Sequence, residues 1–201
     1  MPKPIDFWFY IGSTYTYLSV KRLARVAAGE GVSVTWRPFD VRARIAEVGN
    51  TPFRGKPLKM NYMWRDIGRR AQKYGLEPTL PAPYPLGDSV QTNLVAVVAE
   101  QEGWCPDYAQ AVFTRWFEAG RPANDPDVIR DSITASGQDP ERVLAKAAEA
   151  ETAARYEANT AKAAELGIFG SPNFVVDGEL FWGDDRLEDA ISWAKHDRVT
   201  A

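Results

Sequence analysis

Ser13 and Thr16 stand three positions apart in "DFWFYIGSTYTYLSV", residues 6–20, where a run of β-forming residues breaks at Gly12 into a helical pattern. Two cysteines at that spacing and at such a junction do thiol–disulfide chemistry, because a helix start favours the thiolate. Here both positions carry hydroxyls, which cannot cycle between thiol and disulfide, so dithiol oxidoreductase chemistry is excluded. The single cysteine, Cys105 in "EGWCPDY", lies far along the chain from this junction and reads as a buried structural residue. The single histidine, His196, sits in the polar stretch "WAKHDRVTA" with no second soft ligand beside it. Neither a metal site nor a Ser-His-Asp hydrolase is therefore expected. Ser13 is left without an imidazole to deprotonate it, and its chemistry is that of a hydroxyl.

The whole chain bounds the setting. Its 201 residues suffice for one sizeable core, or for one domain interrupted by another. Hydrophobic residues make up 45% and charged residues 25%, the balance of a soluble globular protein. A net charge of −3 argues against nucleic acid as a partner, since phosphate binding needs a basic surface. No apolar run reaches the roughly 20 residues of a membrane span. "MPKPIDFWFY" passes straight into a strand pattern without a signal-peptide apolar region, so a cytoplasmic location is expected.

The elements that must position Ser13 can be read in order. "IDFWFYI" has the β-former density of a strand covered on both faces. Gly12 and Ser13 should open a helix running to about Ala28, with Ser13 as its N-cap and Leu18, Leu23 and Val26 among its apolar positions. "VSVTWRPFD" follows as a second strand, and strand–helix–strand at this spacing predicts a right-handed, parallel βαβ unit. From about Val41 to Gly167 the pattern turns helical. It includes a short "VRARIAEVG", a loop "NTPFRGKP", a basic helix "LKMNYMWRDIGRRAQKYG" and the proline-rich, irregular "LEPTLPAPYPLGD". Several later helical stretches begin with Asp-Pro or Ser, as capped helices do. The chain then returns to sheet, with "NFVV" and "ELFWG" joined by Asp-Gly, a strong hairpin signal, and a final helix. Strand–helix–strand followed by hairpin and helix is the thioredoxin-like α/β arrangement, a four-stranded mixed sheet with helices on both faces. Residues 1–40 and 168–201 would form that domain, with 41–167 as an inserted all-helical domain.

In such a fold the start of the first helix meets the loop before the third strand, which brings Ser13 near "GSP", residues 170–172. Pro172 either begins a strand in trans or adopts cis, and the Ser13 junction favours cis. A cis Pro172 should leave the amide and carbonyl of Ser171 free for an extended peptide.

At these residues the chain is similar to the 2-hydroxychromene-2-carboxylate isomerases, in the thioredoxin-superfamily branch shared with the disulfide oxidase DsbA and kappa-class glutathione transferases. The similarity is nearly full length. It rests on "DFWFYIGSTYTYLS", "GNTPFRGKPLKMNYMWRDIGRRAQKYG" and "GIFGSPNFVVDGELFWGDDRLEDAI" in that order. Two departures stand out: Thr-Tyr follows the serine in place of a proline-containing turn, and Ser171 replaces an apolar residue. The resemblance implies that Ser13 meets the sulfur of glutathione and that Asn50 and Lys59 contact glutathione or substrate. It also implies that Ser171 and Pro172 receive the tripeptide backbone, and that "WGDDR" (Trp182, Gly183, Asp184 and Asp185) holds the γ-glutamyl end.

Glutathione, a short peptide with two carboxylates and an ammonium, matches those groups in charge: Lys59 suits a carboxylate and Asp185 the ammonium. The thiol missing from the chain would thus arrive with the cofactor. The implied reaction is glutathione-dependent cis–trans isomerisation of 2-hydroxychromene-2-carboxylate to trans-o-hydroxybenzylidenepyruvate, in naphthalene-type aromatic breakdown. Arg42 and Arg44 are candidate cations for the substrate carboxylate. Asn50, Thr51 and Tyr84 join them, with Tyr62 and Trp64, of which at most one should face the pocket. A kappa-like glutathione transferase or peroxidase shares every glutathione-binding feature, and a non-catalytic glutathione- or peptide-binding module is a third reading. The family expectation is a homodimer without metal.

Overall fold

The computed structural model describes residues 2–49, 53 and 55–200; Asn50 and Thr51 of the expected site lie outside them. Four strands, β1 (Ile5–Phe9), β2 (Val34–Pro38), β3 (Asn173–Val176) and β4 (Glu179–Trp182), form one sheet in the order β2-β1-β3-β4. β1 runs parallel to β2, and β3 is antiparallel to both β1 and β4. The β3–β4 turn is the expected Asp-Gly pair: Asp177 and Gly178 both have positive φ, 52° and 86°, as a two-residue hairpin turn requires.

The period of two along β1 divides the core. Ile5, Phe7 and Phe9 join one cluster with Leu18 and Leu23 of α1 (Thr16–Gly29) and Ala190 and Ile191 of α9 (Leu187–His196). Trp8, Tyr10 and Val175 join a second, smaller cluster with Phe39, Val41 and Ala163. Phe7 is the aromatic node of the sheet, its ring 5.2 Å from Phe174, 5.4 Å from Phe9 and edge-on to Trp36 at 5.0 Å.

The helical insertion between β2 and β3 comprises α2 (Val41–Glu47), α3 (Pro57–Lys73), α4 (Val90–Glu102), α5 (Cys105–Phe117), α6 (Pro126–Ala135), α7 (Pro140–Ala147) and α8 (Ala150–Glu165). Asp40, Asp125 and Asp139 cap α2, α6 and α7 through their side chains, as Asp at a helix start should. The insertion shares the main core with the sheet: Val95 and Val98 of α4 and Phe113 and Phe117 of α5 lie in the same cluster as Phe7.

Truncating the Phe7 ring should expose how much the sheet depends on this node. Phe7→Ala should destabilise the fold by about 3–5 kcal/mol. Urea unfolding should report a lowered midpoint with an unchanged slope.

Candidate active site

The chain leaves β1 at Phe9, and four residues later Ser13 faces the turn before β3. Gly12 allows this with φ 145°; a Cβ there would collide with the Tyr10 ring. Ser13 is not the N-cap that its position predicted. α1 begins at Thr16, after a Tyr15 that makes no side-chain capping bond. The opening turn is closed by backbone instead, with Tyr17 N–H donating to Thr14 and Leu18 N–H to Tyr15. That leaves the Ser13 hydroxyl unused by its own helix, and it donates to the Ser171 carbonyl oxygen at 2.8 Å.

Ser171–Pro172 is cis, as the junction favoured. The Ser171 carbonyl, expected free, is instead the acceptor for Ser13. Its amide has no partner among the described residues. The Ser171 hydroxyl accepts from the Tyr10 amide at 3.1 Å and lies 3.0 Å from Thr16 Oγ1. Ser13 and Thr16, the two residues at dithiol spacing, thus both bond Ser171. A serine rather than an apolar residue stands there because its hydroxyl fills the space between β1 and α1 with two polar contacts.

The "WGDDR" stretch closes the other side. Gly183 N–H donates to the Pro172 carbonyl at 3.0 Å, which brings a 3₁₀ turn, Asp184–Arg186, beside the cis proline. The two aspartates then part company. Asp184 is 1% exposed and bound by Arg70 of α3, whose Nη2 and Nε lie 2.8 and 3.1 Å from its Oδ2. Burial pushes its carboxyl up to about 6, against the pull of Arg70. Asp184 is therefore an internal brace and not a free carboxylate for a ligand. Asp185 keeps 42% of its side chain exposed. Partial burial works to raise its pKa, but the hydrogen bond from Arg186 and the charge of Arg70 outweigh it and hold the carboxyl below its ordinary value. Trp182, an aromatic that by default would be core, is 51% exposed, with its ring 4.7 Å from Phe169.

α3 supplies the third wall. Thr14 Oγ1 donates to Met63 Sδ at 3.1 Å, which fixes this helix against the Ser13 loop. Lys59 is one turn back on the same face as Met63, exposed in the first turn. Of the two aromatics, Tyr62 is 60% exposed and stacks outward with Arg69, whereas Trp64 turns inward. Trp64 meets Tyr84 edge-on at 5.9 Å, and Phe53 approaches the same tyrosine at 6.5 Å. Arg42 is exposed, donates to the Leu86 carbonyl at 2.9 Å and lies 5.7 Å over the Tyr10 ring, with no carboxylate partner among the described residues. Arg44 is buried, donates to the Ile168 carbonyl and pairs with Glu47, so it is structural and leaves the candidate set. Arg70 and Asn93 were not legible as site residues: one lay in a basic helix with many charges, the other was a polar residue beside Thr92 at the start of a largely apolar helix. The latter carried the only usable signal.

A cavity of about 610 Å³ opens elsewhere, lined by Asp6, Trp8, Arg37, Val175 and Asp177 among others. Its cations are already engaged, Arg37 with Asp6 and Lys3 with Asp177, both at 3.0 Å. Ser13, cis Pro172 and the turn that carries Asp185 come together at a separate place.

The sequence pattern of the DSBA-like thioredoxin domain matches residues 4–191. The chain belongs to the DsbA-like thioredoxin family. Within it, the chain is 30% identical to 2-hydroxychromene-2-carboxylate isomerase from Pseudomonas putida, over 91% of this chain and 90% of that one. It superimposes on a solved 2-hydroxychromene-2-carboxylate isomerase with a TM-score of 0.79 at 26% identity, covering 91% of this chain and 90% of the other. A more distant relative, glutathione S-transferase kappa 1 of Caenorhabditis elegans, is 24% identical over 93% of this chain and 89% of its own length. This DsbA-like protein is thus an enzyme of the isomerase branch. Its one thiol, Cys105, is buried at the start of α5, where burial raises its pKa well above the ordinary value.

The buried Asp184 makes stability depend on pH. Between 3.8 and about 6 the folded protein holds a proton that the unfolded chain releases. Stability from this group should therefore fall as pH rises across that window and stay level above it. Asp184→Asn should remove the slope in urea midpoints measured from about pH 4 to 7. Arg70 is not stranded by the change, because Asp185 lies 3.6 Å from its Nη1.

Proposed function

We propose that this protein is a glutathione-dependent cis–trans isomerase acting on 2-hydroxychromene-2-carboxylate or a close aromatic analogue. The observation that carries the reading is the Ser13 hydroxyl, held at the turn before Pro172 with its proton on a backbone carbonyl and hydrogen-bonded to no side-chain base among the described residues. The surrounding groups fit glutathione. The amide of Ser171 can pair with a peptide carbonyl, the exposed carboxylate of Asp185 suits an ammonium, and Lys59 suits a carboxylate. Ser13 Oγ–H and the first-turn amides of Thr14, Tyr15 and Thr16, which have no partner among the described residues, are the donors that would stabilise a thiolate at this helix start.

Glutathione, when bound, supplies the nucleophile, whose reversible addition makes the substrate double bond single and free to turn. The chain's own residues do the rest. Ser13 can turn its proton from the Ser171 carbonyl to the sulfur, which lowers the thiol pKa and releases that carbonyl to accept a peptide N–H. Trp64, Tyr84 and Phe53 offer ring faces and edges to an aromatic substrate, and Arg42 offers a cation to its carboxylate. Similarity to a kappa-class transferase favours conjugation to an electrophile as the second reading. Release of unmodified glutathione after turnover supports the isomerase, and a stable conjugate supports the transferase.

Ser13→Ala should remove one charge-assisted hydrogen bond, about 1.5–3 kcal/mol, and lower kcat roughly ten- to a hundredfold. The residual activity should still require glutathione. Ultraviolet thiolate absorbance should report a bound-glutathione thiol ionised near neutral pH in the wild type and less so in the variant. An unshifted thiol in the wild type, or full activity without glutathione, contradicts the reading. Arg42→Met should raise KM for the aromatic acid by about tenfold, with little change in the affinity for glutathione.

A further inference from the structure

We propose that Asn93, in the first turn of α4, is a positioning residue that sets the placement of the Ser13 hydroxyl. β1 makes its last ladder pair at Phe9, opposite Pro38, and beyond it Ile11 has no strand to bond. The side chain of Asn93, fully buried, takes the place of that strand. Its Oδ1 accepts from the Ile11 amide at 2.9 Å, and its Nδ2 donates to the Ile11 carbonyl at 3.0 Å. A carboxamide carries the same donor and acceptor pair as a peptide unit, so it can complete one rung of a ladder that the backbone has abandoned. Asp lacks the donor, Leu lacks both groups, and Gln is one methylene too long for the space. The second Nδ2 hydrogen goes to the Ser89 carbonyl at 2.8 Å, which fixes the amide's orientation from its own helix.

A second tie lies beside the first. Ser89 is the N-cap residue of α4 yet makes no side-chain capping bond; its Oγ lies 2.7 Å from Tyr10 Oη. Two consecutive residues, Tyr10 and Ile11, are therefore held from one helix end. The next two, Gly12 and Ser13, turn back so that the Ser13 amide donates to the Tyr10 carbonyl at 3.2 Å. The reach of Ser13 Oγ to Ser171 is measured from this anchored pair. Asn93 touches none of the groups around the proposed sulfur position, so its influence on turnover passes through Ser13. That part of the inference rests on the reading of Ser13 as a thiolate donor; the clamp itself does not.

Asn93→Ala, Ser13→Ala and the double variant, compared with wild type, separate the two. Without glutathione, hydrogen exchange at the Ser13 amide should quicken in Asn93→Ala, although the substitution does not touch that amide's own bond. With glutathione, the bound thiol pKa should move toward that of the free tripeptide. kcat should fall by about tenfold, the loss of roughly one hydrogen bond in the transition state, with KM for the aromatic acid unchanged. The double variant should be no slower than Ser13→Ala alone, because both changes remove the same interaction. Unchanged Ser13 exchange overturns the clamp, and a double loss equal to the product of the single losses overturns the route through Ser13. If Asn93→Ala does not fold, Ser89→Ala enters the same cycle with a smaller expected effect, and the same two outcomes overturn the proposal. A wild type that leaves glutathione un-ionised counts against the proposed function, while the exchange measurement still decides the clamp.

Discussion

The Ser13 hydroxyl has a single proton, and its partner, the carbonyl of Ser171, lies 158 residues further along the chain. That bond joins the start of α1 to the turn ahead of β3. It exists because two local constraints coincide. Gly12 lets the chain double back, and the Tyr17 and Leu18 amides of the first turn of α1 bond backbone carbonyls, so Ser13 is not drawn into capping its own helix. A serine that capped its own helix would have its oxygen committed as an acceptor. Freed of that duty, it presents a donor.

Around this bond, neighbouring residues of the same type divide into braces and open groups according to burial. Asp184 and Asp185 are adjacent, yet one is sealed against Arg70 while the other stays half exposed beside Arg186. The sealed carboxylate holds the 3₁₀ turn against α3, with Arg22 stacked on Tyr74 at 3.6 Å adding positive charge nearby. A buried, paired carboxylate has no free valence for a ligand ammonium, whereas a half-exposed one does. Arg42 and Arg44 split in the same way across α2, and Tyr62 and Trp64 across α3. In each pair the helical period sends one residue to the interior and leaves the other at the surface.

The helical insertion reaches into the site from two directions. α3 brings Met63 to Thr14, and α4 brings Asn93 to Ile11 and Ser89 to Tyr10. The sheet supplies the scaffold and the cis turn, but the chain around Ser13 is held from the insertion. Ring faces and edges at Trp64, Tyr84 and Phe53 come from the insertion as well. α3 thus carries both Met63, which holds the Ser13 loop, and Trp64, which meets Tyr84.

Much of this was legible along the chain. The βαβ unit, the Asp-Gly hairpin and the final helix followed from local patterns, in which a residue's neighbours within a few positions decide its conformation; the meeting of Ser13 with the Pro172 turn followed only once those elements were assembled into the expected fold. The two helices opening with Asp-Pro, α6 and α7, were readable for the same reason, whereas Ser89, expected to cap α4, bonds Tyr10 instead. What the tertiary structure alone decided is who bonds to whom. Ser13 read as an N-cap because capping is the local option for a serine at a helix start, and the competing acceptor at Ser171 is visible only after the sheet has closed. Asp184 and Asp185 were equivalent in sequence until Arg70, 114 positions away, claimed one of them. Asn93 could be noticed as a polar residue just ahead of the apolar run "LVAVVA", but its role depends on β1 running past its last partner strand. Hydrophobic period and turn chemistry are properties of short segments; the assignment of a buried donor to its acceptor is a property of the packed whole.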